Sequence, residues 1–215
     1  QGELVPQDFM VMMRDHYDQV TLPSGKVLDM NQVPFYSSDY ADTQEWVGKW
    51  PEKDTVEHPL YIRSICHHGM HGTTASAAIL VARPNVPDEL GLMLHCFRNP
   101  CLGTYVPFYI GSLTLPAEYS KPEACAKFMH ISKTALGSHG VFHDGVRAVF
   151  DPYEEGLWDE LAKVEEEFLE IRKGGDQMKS QALLDAFVRE KCHQVLDLAD
   201  QALESTVESA AGSSA

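Results

Sequence analysis

Short hydrophobic runs alternate with turn-forming residues between residues 60 and 110 of the chain. Runs of this length, bounded by glycine, proline or histidine, are typical of β-strands. Their mostly apolar composition favours an antiparallel meander in a sheet that is covered on both faces. The four strands predicted in this way are residues 61–66, 74–82, 90–97 and 104–110.

Hydrophobic residues recur at spacings of three and four residues near both ends of the chain. This period is typical of α-helices that bury one face. The helices predicted from it are residues 6–18, 122–134, 153–172 and 178–204. Gly174 and Gly175 lie between the last two helices and are typical helix-terminating residues. The short connection predicts a C-terminal antiparallel helical hairpin.

The remaining segments show neither period. Residues 19–59 contain prolines, glycines and several aromatic residues, which predicts a long loop packed by its aromatics. Residues 115–120 are predicted to be a second loop, residues 137–152 give no assignment, and residues 205–215 are expected to form a flexible tail. These elements predict an α+β fold that combines an antiparallel sheet with the helical hairpin. The length of the chain is compatible with one large domain or two small ones.

The chain is strongly acidic, with 32 acidic and 17 basic residues and a formal net charge of −15. Residues 151–210 alone contain 16 acidic and 6 basic residues, which we interpret as solvated faces of the last two helices. A chain with this charge and no basic patch repels phosphate backbones, which argues against a nucleic-acid partner. No hydrophobic run reaches the roughly 18 residues of a membrane span, so we expect no membrane partner.

The five cysteines are an odd number without tight spacing, which argues against a disulfide framework. A reducing compartment is the simpler interpretation, and we expect the cytoplasm. Cys96 and Cys101 are close enough to pair across a turn, although a reduced pair is favoured. The first residue, Gln1, is not an initiator methionine, and no leader follows it. We expect a processed subunit or a cut piece, from which any targeting signal would be missing.

Two polar residues near the predicted strands each have a structural and a functional interpretation. Arg63 lies within an apolar strand, where an arginine is costly unless paired. It either forms a buried ion pair or binds a substrate carboxylate with its planar fork. Asn99 either caps the turn before Pro100 or donates a hydrogen bond to an oxyanion.

The histidines His67, His68 and His71 cluster in a turn that also contains Gly69 and Gly72. Imidazole is a common zinc ligand, so a metal site is one interpretation. The spacing, however, matches neither the HExxH motif nor the CxxC pairs of known zinc sites. We favour histidines that hydrogen-bond locally or face a pocket, and we expect no metal and no cofactor.

A cysteine nucleophile requires a nearby base and a group that orients it. Cys66 is adjacent to His67, but neighbouring residues of a strand point to opposite faces. Cys66 is therefore expected to be a core residue. Cys101 lies in a turn, where it either lines a functional site or contributes to packing. We favour the packing role. The chain contains no GxSxG, P-loop or GxGxxG motif.

Three segments carry a resemblance to a known family. They are DFMVMMRDHYDQ at residues 8–19, the stretch from YIRSICHHG to NPCLGTYVPFYIGSLTLPAEYS at residues 61–120, and FDPYEEGLWDELAKVEEEF at residues 150–168. Together they resemble the C-terminal half of the dipeptidase-A-type peptidases, which include the secernins. This family belongs to the N-terminal-nucleophile (Ntn) hydrolases. The resemblance implies that residues 1–204 are the C-terminal part of an Ntn-hydrolase-like domain, a four-layer αββα sandwich. It also implies hydrolysis of an amide through a thioester.

The resemblance also implies a nucleophilic cysteine at a mature N-terminus, whose own α-amino group acts as the base. Gln1 is not a cysteine, so we expect a missing N-terminal half or a partner chain to supply the nucleophile. This chain alone is then inactive and exposes one sheet face. Arg63, Asn99 and Thr104 are candidates for lining the site, and Arg63, His67 and His68 for binding a small peptide or amide. The alternative is a non-catalytic interaction or scaffold protein whose acidic hairpin binds a partner.

Overall fold

The computed structural model describes residues 4–14, 19–21, 27–29, 66, 68–69, 72–136 and 139–212. The strands are β1 (Gln19–Thr21), β2 (Val27–Asp29), β3 (His68–Gly69), β4 (Gly72–Thr73), β5 (Ser76–Val81), β6 (Leu92–Phe97) and β7 (Val106–Tyr109). The α-helices are α1 (Pro6–Met13), α2 (Ala117–Ser120), α3 (Pro122–Leu136), α4 (His139–Lys173) and α5 (Gln177–Gly212). Short 3₁₀ turns span Asp88–Leu90 and Pro100–Leu102.

The central sheet has the strand order β5-β6-β7, and both pairs are antiparallel. These strands confirm the predictions at residues 74–82, 90–97 and 104–110, although each is two or three residues shorter than predicted. The predicted strand at residues 61–66 lies outside the described residues, apart from Cys66. The chain is thus α+β with an antiparallel sheet, as its sequence pattern indicates.

The two faces of this sheet differ in their surroundings. Ala77 and Ile79 of β5 are buried, whereas Leu80, on the opposite face, is 78% exposed. Tyr109 of β7 shares the buried face, and its ring centroid lies 6.1 Å from that of Phe187 in α5. The prediction of cover on both faces is therefore wrong for β5 within the described residues. On the same face of the neighbouring strand β6, Phe97 is covered by Tyr119 of α2 and Phe128 of α3.

Helix α4 begins at His139, well before the predicted start at residue 153. Its buried stripe begins with Phe142, Val146 and Phe150, within the segment 137–152 that has no sequence-based assignment. Pro152 lies inside the helix, although proline usually ends helices because it lacks the N–H and clashes with the preceding turn. The apolar stripe continues past Pro152 on the buried side, so tertiary packing outweighs this local signal.

Helices α4 and α5 form the predicted antiparallel hairpin. Lys191 of α5 pairs with Glu160 of α4, and the two residues stand almost equally far from the connecting glycines. Gly175 has a φ of +85°, in the left-handed region that glycine adopts without strain. Asp176 then caps α5, because its Oδ1 accepts a hydrogen bond from the Lys179 N–H at 2.9 Å. Helix α5 extends to Gly212, past residue 205, where a flexible tail is predicted to begin.

Three smaller elements differ from the predictions. The segment 19–59, predicted to be a loop, contains an antiparallel β1–β2 pair in which Val20 lies opposite Leu28. The sequence pattern did not indicate this pair, because strands of three residues are too short to show a period. Residues 117–120, predicted to be loop, form the single turn of α2, where the Ser120 hydroxyl donates to the Pro116 carbonyl. Helix α1 ends at Met13 instead of residue 18. Of the helices described, none has both the length and the apolar character needed to cross a membrane.

Candidate functional site

Residues 98–105, here called the 98–105 turn, connect β6 to β7 and include the 3₁₀ turn Pro100–Leu102. Every residue from 99 to 105 is buried. Gly103 lies so close to β6 that a Cβ atom there would come within 2.6 Å of the Cys96 sulfur and 3.0 Å of the Phe97 carbonyl oxygen. Only glycine permits this approach, so the turn is packed directly onto the central strand.

Two arginines hold the turn by its backbone carbonyls. The Nε of Arg14, which follows α1, donates to the Pro100 oxygen at 2.9 Å. The Nη1 of Arg147, in α4, donates to the Gly103 oxygen at 2.7 Å. The Arg14 guanidinium also lies over the Tyr105 ring, 5.3 Å from its centroid, where the ring face attracts a cation. Both ends of the turn are thereby tied to helices distant in sequence.

Glu154 of α4 joins the two arginines into one network. Its carboxylate accepts hydrogen bonds from Arg14 Nη2 at 2.5 Å, from Arg147 Nη2 at 3.0 Å and from the Thr104 hydroxyl at 2.8 Å. The Glu154 side chain is only 8% exposed. A buried carboxylate is stable only when it is paired and hydrogen-bonded, and here all of these contacts are made. We call Arg14, Arg147 and Glu154 the arginine clamp.

The charges of the clamp are balanced. Burial by itself would lower the pKa of Arg14, but the charge of Glu154 and its hydrogen bond outweigh burial and raise that pKa above its ordinary value. The Nε of Arg147 also donates to Asp151 at 2.8 Å, one helical turn away. Two guanidinium groups thus face two carboxylates, and the clamp holds the turn without leaving a buried charge unpaired.

Buried thiols lie beneath the turn. The sulfur atoms of Cys66 and Cys101 are 3.4 Å apart and hydrogen-bonded, and both residues are buried. Burial raises the pKa of the Cys101 thiol well above its ordinary value, and the hydrogen bond from Cys66 raises it further. Burial also raises the pKa of Cys96. Because the thiolate is the reactive form, these cysteines are packing residues, as predicted for Cys66. Cys101 forms its hydrogen bond with Cys66, while Cys96 also lies near enough to raise the pKa of Cys101. Cys96 and Cys101 are both free thiols, as the sequence favours.

The turn brings together two of the predicted site residues. Asn99 and Thr104 are both buried in it, and the Thr104 hydroxyl is engaged by Glu154. The Asn99 side chain makes no capping hydrogen bond, whereas its backbone oxygen accepts from the Leu102 N–H at 2.9 Å. The side-chain capping alternative for Asn99 is therefore wrong, and its role as an oxyanion donor stays a prediction.

The other predicted site residues cannot be compared with the turn. Arg63, His67 and His71 lie outside the described residues, and of His68 only the backbone is described, at the start of β3. The two interpretations of Arg63 and the metal hypothesis for the histidines stay predictions. Within the described part of the chain, no three His, Cys, Asp or Glu side chains form a group that could hold a metal.

The sequence interpretation missed the clamp itself. A signal was present in α4, because Arg147 and Glu154 occupy the same helical stripe as Phe150 and Leu157, which are buried. A charged residue at an apolar stripe position is costly unless it is paired. No local pattern indicates Arg14 as the partner, because 140 residues separate it from Glu154.

A cavity of about 470 Å³ lies near the edge strand β7, on the sheet face that carries His95. The rings of Phe97, Phe108 and Tyr119 form much of its apolar wall. His95 Nδ1 lies 2.9 Å from the Tyr119 hydroxyl, and burial lowers the pKa of His95. Burial also raises the pKa of Tyr119. The two side chains share one hydrogen bond, whose donor depends on the tautomer of His95.

Comparisons of the chain with family models, with curated proteins and with solved structures find no match in any of the three.

Proposed function

We propose that this chain is the C-terminal portion or subunit of a cysteine-type Ntn amidohydrolase, a dipeptidase or related peptidase. The observation that carries this proposal is the meeting of Arg14 and Thr104 at the carboxylate of Glu154. Arg14 belongs to the first segment that resembles the family, Thr104 to the second and Glu154 to the third. Three segments that were recognised separately in the sequence thus meet at one carboxylate. Such a meeting is expected if the three segments belong to the common structural framework of that family.

The layering of the chain also supports the proposal. An αββα sandwich consists of two sheets packed face to face, each covered on its outer face by helices. Here α5 packs against one face of the sheet at Tyr109. On the other face Tyr119 of α2 packs against Phe97 and Phe108, whereas Leu80 of β5 is largely exposed. An exposed apolar sheet face is a usual site of protein association. A second sheet from an N-terminal half or partner chain is the proposed cover for the exposed β5 part of this face.

The thiols of this chain are consistent with a nucleophile that comes from elsewhere. Four of its cysteines are buried, and burial raises the pKa of Cys96, Cys101 and Cys192. Such thiols remain protonated near neutral pH and are poor nucleophiles. In the proposed mechanism the N-terminal cysteine of the missing half attacks the amide carbon. Its α-amino group, with an ordinary pKa of about 7.7 to 8.0, accepts the thiol proton.

The proposed reaction then proceeds through two familiar steps. The attack forms a tetrahedral oxyanion, which collapses to a thioester as the protonated α-amino group gives its proton to the departing amine. Water then hydrolyses the thioester and releases the acid and the free thiol. The contribution of this chain is a rigid wall, because the clamp fixes the 98–105 turn, which carries Asn99. Side-chain amides are suitable oxyanion donors.

The proposal is tested by assaying the native assembly with small peptides and amides. We expect hydrolysis by the complete assembly, and loss of it when the N-terminal cysteine of the second chain or half is changed to alanine. A matched control is Cys125→Ala in this chain, which removes a half-exposed thiol and is expected to leave turnover unchanged. Turnover that survives the N-terminal change would contradict the mechanism and favour a different hydrolase or the scaffold alternative.

A further inference from the structure

Arg98, the first residue of the 98–105 turn, has a strained backbone. Its φ is 60°, and among the described residues it is the one non-glycine position with a positive φ. In this left-handed region the Cβ atom of an L-residue crowds the following carbonyl oxygen, so glycine or asparagine is usual. The conformation is held by the Arg98 N–H, which donates to the Ala75 oxygen at 2.9 Å. Strain of this kind concentrates at functional sites.

The side chain of Arg98 carries a second cost. The residue is half-buried, and its Nε atom is buried without a hydrogen-bond partner. The Nε atom of Arg83 is also buried without a partner, but its Nη atoms pair with Glu165. Arg14, Arg147 and Arg172 likewise pair with carboxylates. Arg98 has no such pair among the described residues. A buried donor without an acceptor destabilises the fold.

The charge around the turn indicates which ligand would offset these costs. Glu154 and Asp151 balance Arg14 and Arg147, so Arg98 leaves the turn with an excess positive charge in a chain of net charge −15. The planar guanidinium fork matches a carboxylate or a phosphate. The strongly acidic chain repels a multiply charged phosphate more than a singly charged carboxylate. A carboxylate is therefore the better fit.

We propose that Arg98 binds the carboxylate of the substrate, which would be the α-carboxylate of a small peptide. The identity of this substrate rests on the proposed function, whereas the carboxylate site rests on Arg98 itself. The arginine clamp holds the turn from Pro100 to Gly103, so Arg98 is presented by a rigid support. Such pre-organisation lowers the entropic cost of binding. Within the described part of the chain, Arg98 is thus the proposed binder of the substrate carboxylate. The sequence analysis considered this role for Arg63.

The first test uses the full chain labelled with ¹⁵N and follows the side-chain Nε–H signals of its arginines by NMR. The Arg98→Lys variant lacks one signal and thereby identifies it. We expect the Arg98 signal to shift saturably with sodium acetate at constant ionic strength, with chloride as the balancing anion. The exposed Arg189, identified by Arg189→Lys, is the control and should not saturate. The absence of a saturable shift at Arg98, or tighter binding of inorganic phosphate than of acetate, would overturn the proposal.

A second test separates binding from a structural role. Arg98→Asn places a residue that tolerates a positive φ at this position, so we expect a midpoint of thermal unfolding at least as high as that of the wild type. The same variant should lose the acetate response. A lower unfolding midpoint would assign Arg98 to fold stability and overturn the proposal.

The third test uses the native assembly and compares a dipeptide with its C-terminal amide. Loss of a charge-assisted hydrogen bond raises KM roughly tenfold to a hundredfold. Arg98→Asn should therefore raise KM for the free dipeptide by this factor and leave KM for the amide unchanged. An equal rise for both substrates would overturn the carboxylate assignment. If the wild-type assembly hydrolyses neither, the proposed function fails, and the acetate titration alone decides the role of Arg98.

Discussion

The hydroxyl of Thr104 lies 2.8 Å from the Glu154 carboxylate although 50 residues separate them along the chain. The same oxygen of Glu154 accepts a hydrogen bond from Arg14 near the start of the chain. One carboxylate thus links α1, the 98–105 turn and α4. The position of the turn depends on this residue, so its substitution is the most direct test of the structure.

Glu154→Gln is expected to destabilise the protein by about 3–5 kcal/mol, because it leaves the buried guanidinium groups of Arg14 and Arg147 without their shared carboxylate. Urea or thermal unfolding of the full chain measures this loss. The adjacent Glu155 is exposed, so Glu155→Gln is the matched control and should change stability by less than about 0.5 kcal/mol. Equal effects of the two substitutions would show that the clamp does not stabilise the fold.

Thr104→Val retains the shape of the side chain and removes its hydroxyl. It should cost about 1–3 kcal/mol, because the buried Glu154 loses one of its hydrogen-bond donors. Thr104→Ser keeps the hydroxyl and should recover much of that loss. If valine is tolerated as well as serine in equilibrium unfolding, the Thr104–Glu154 hydrogen bond is not a stabilising contact.

His95 gives the stability of the protein a defined pH dependence. Burial lowers its pKa below the ordinary value of 6.5 in the folded state, so the unfolded chain binds the proton more readily. The stability contributed by neutral His95 is complete above pH 6.5 and is lost as the pH falls through 6.5 toward the folded pKa. His95→Gln keeps an acceptor for the Tyr119 hydroxyl and lacks this titration.

The measurement for His95 is the free energy of unfolding between pH 8 and pH 5. The wild type should lose stability relative to His95→Gln as the pH falls below 6.5. Substitution of the exposed His130 by glutamine is the matched control for removal of a ring. Parallel curves for the wild type and His95→Gln over this range would contradict the assignment.

Thiol labelling should follow burial. Cys125 is half-exposed, whereas the other four cysteines are buried, and burial raises the pKa of Cys192 to about 12. A thiol-specific alkylating reagent at pH 8 should modify Cys125 first, as peptide mass mapping would show. Cys192 should react only after unfolding, because neither its thiolate nor its surface is available in the folded chain. Rapid labelling of Cys192 in native conditions would contradict its burial.

The two faces of β5 offer a matched pair of substitutions. Ile79 is buried and Leu80 is 78% exposed. Ile79→Asp should unfold the chain, because it places an unpaired charge in the core. Leu80→Asp should leave the unfolding midpoint of the isolated chain nearly unchanged and release the proposed second half from the native assembly. Size-exclusion chromatography measures that release, and an intact assembly with Leu80→Asp would argue against a partner on this face.

Local patterns predicted much of the fold. The strands β5, β6 and β7 and the helical hairpin were identifiable because short apolar runs and helical periods are local properties of the sequence. The first part of α4 was missed because Pro152 and nearby glycines obscure a stripe that tertiary packing maintains. The β1–β2 pair was missed because three-residue strands carry too few positions for a period.

The candidate site was less predictable from the sequence. Asn99 and Thr104 were recognised because polar residues in a turn between apolar strands are visible locally. The clamp was missed because the pairing of Arg14 with Glu154 depends on the tertiary fold. Arg98 was not singled out because its strain is a backbone property, and arginine does not mark a positive φ as glycine would. Long-range pairing and backbone conformation are the information that the sequence pattern lacks.

The proposed function requires a second chain or half that carries the nucleophile. Its most direct test is intact-mass measurement and N-terminal sequencing of the native material that contains this chain. We expect a polypeptide with cysteine as its first residue, in stoichiometric amount with this sequence or derived from the same precursor. Native material that contains this sequence alone, folded and monomeric, would contradict the proposed function.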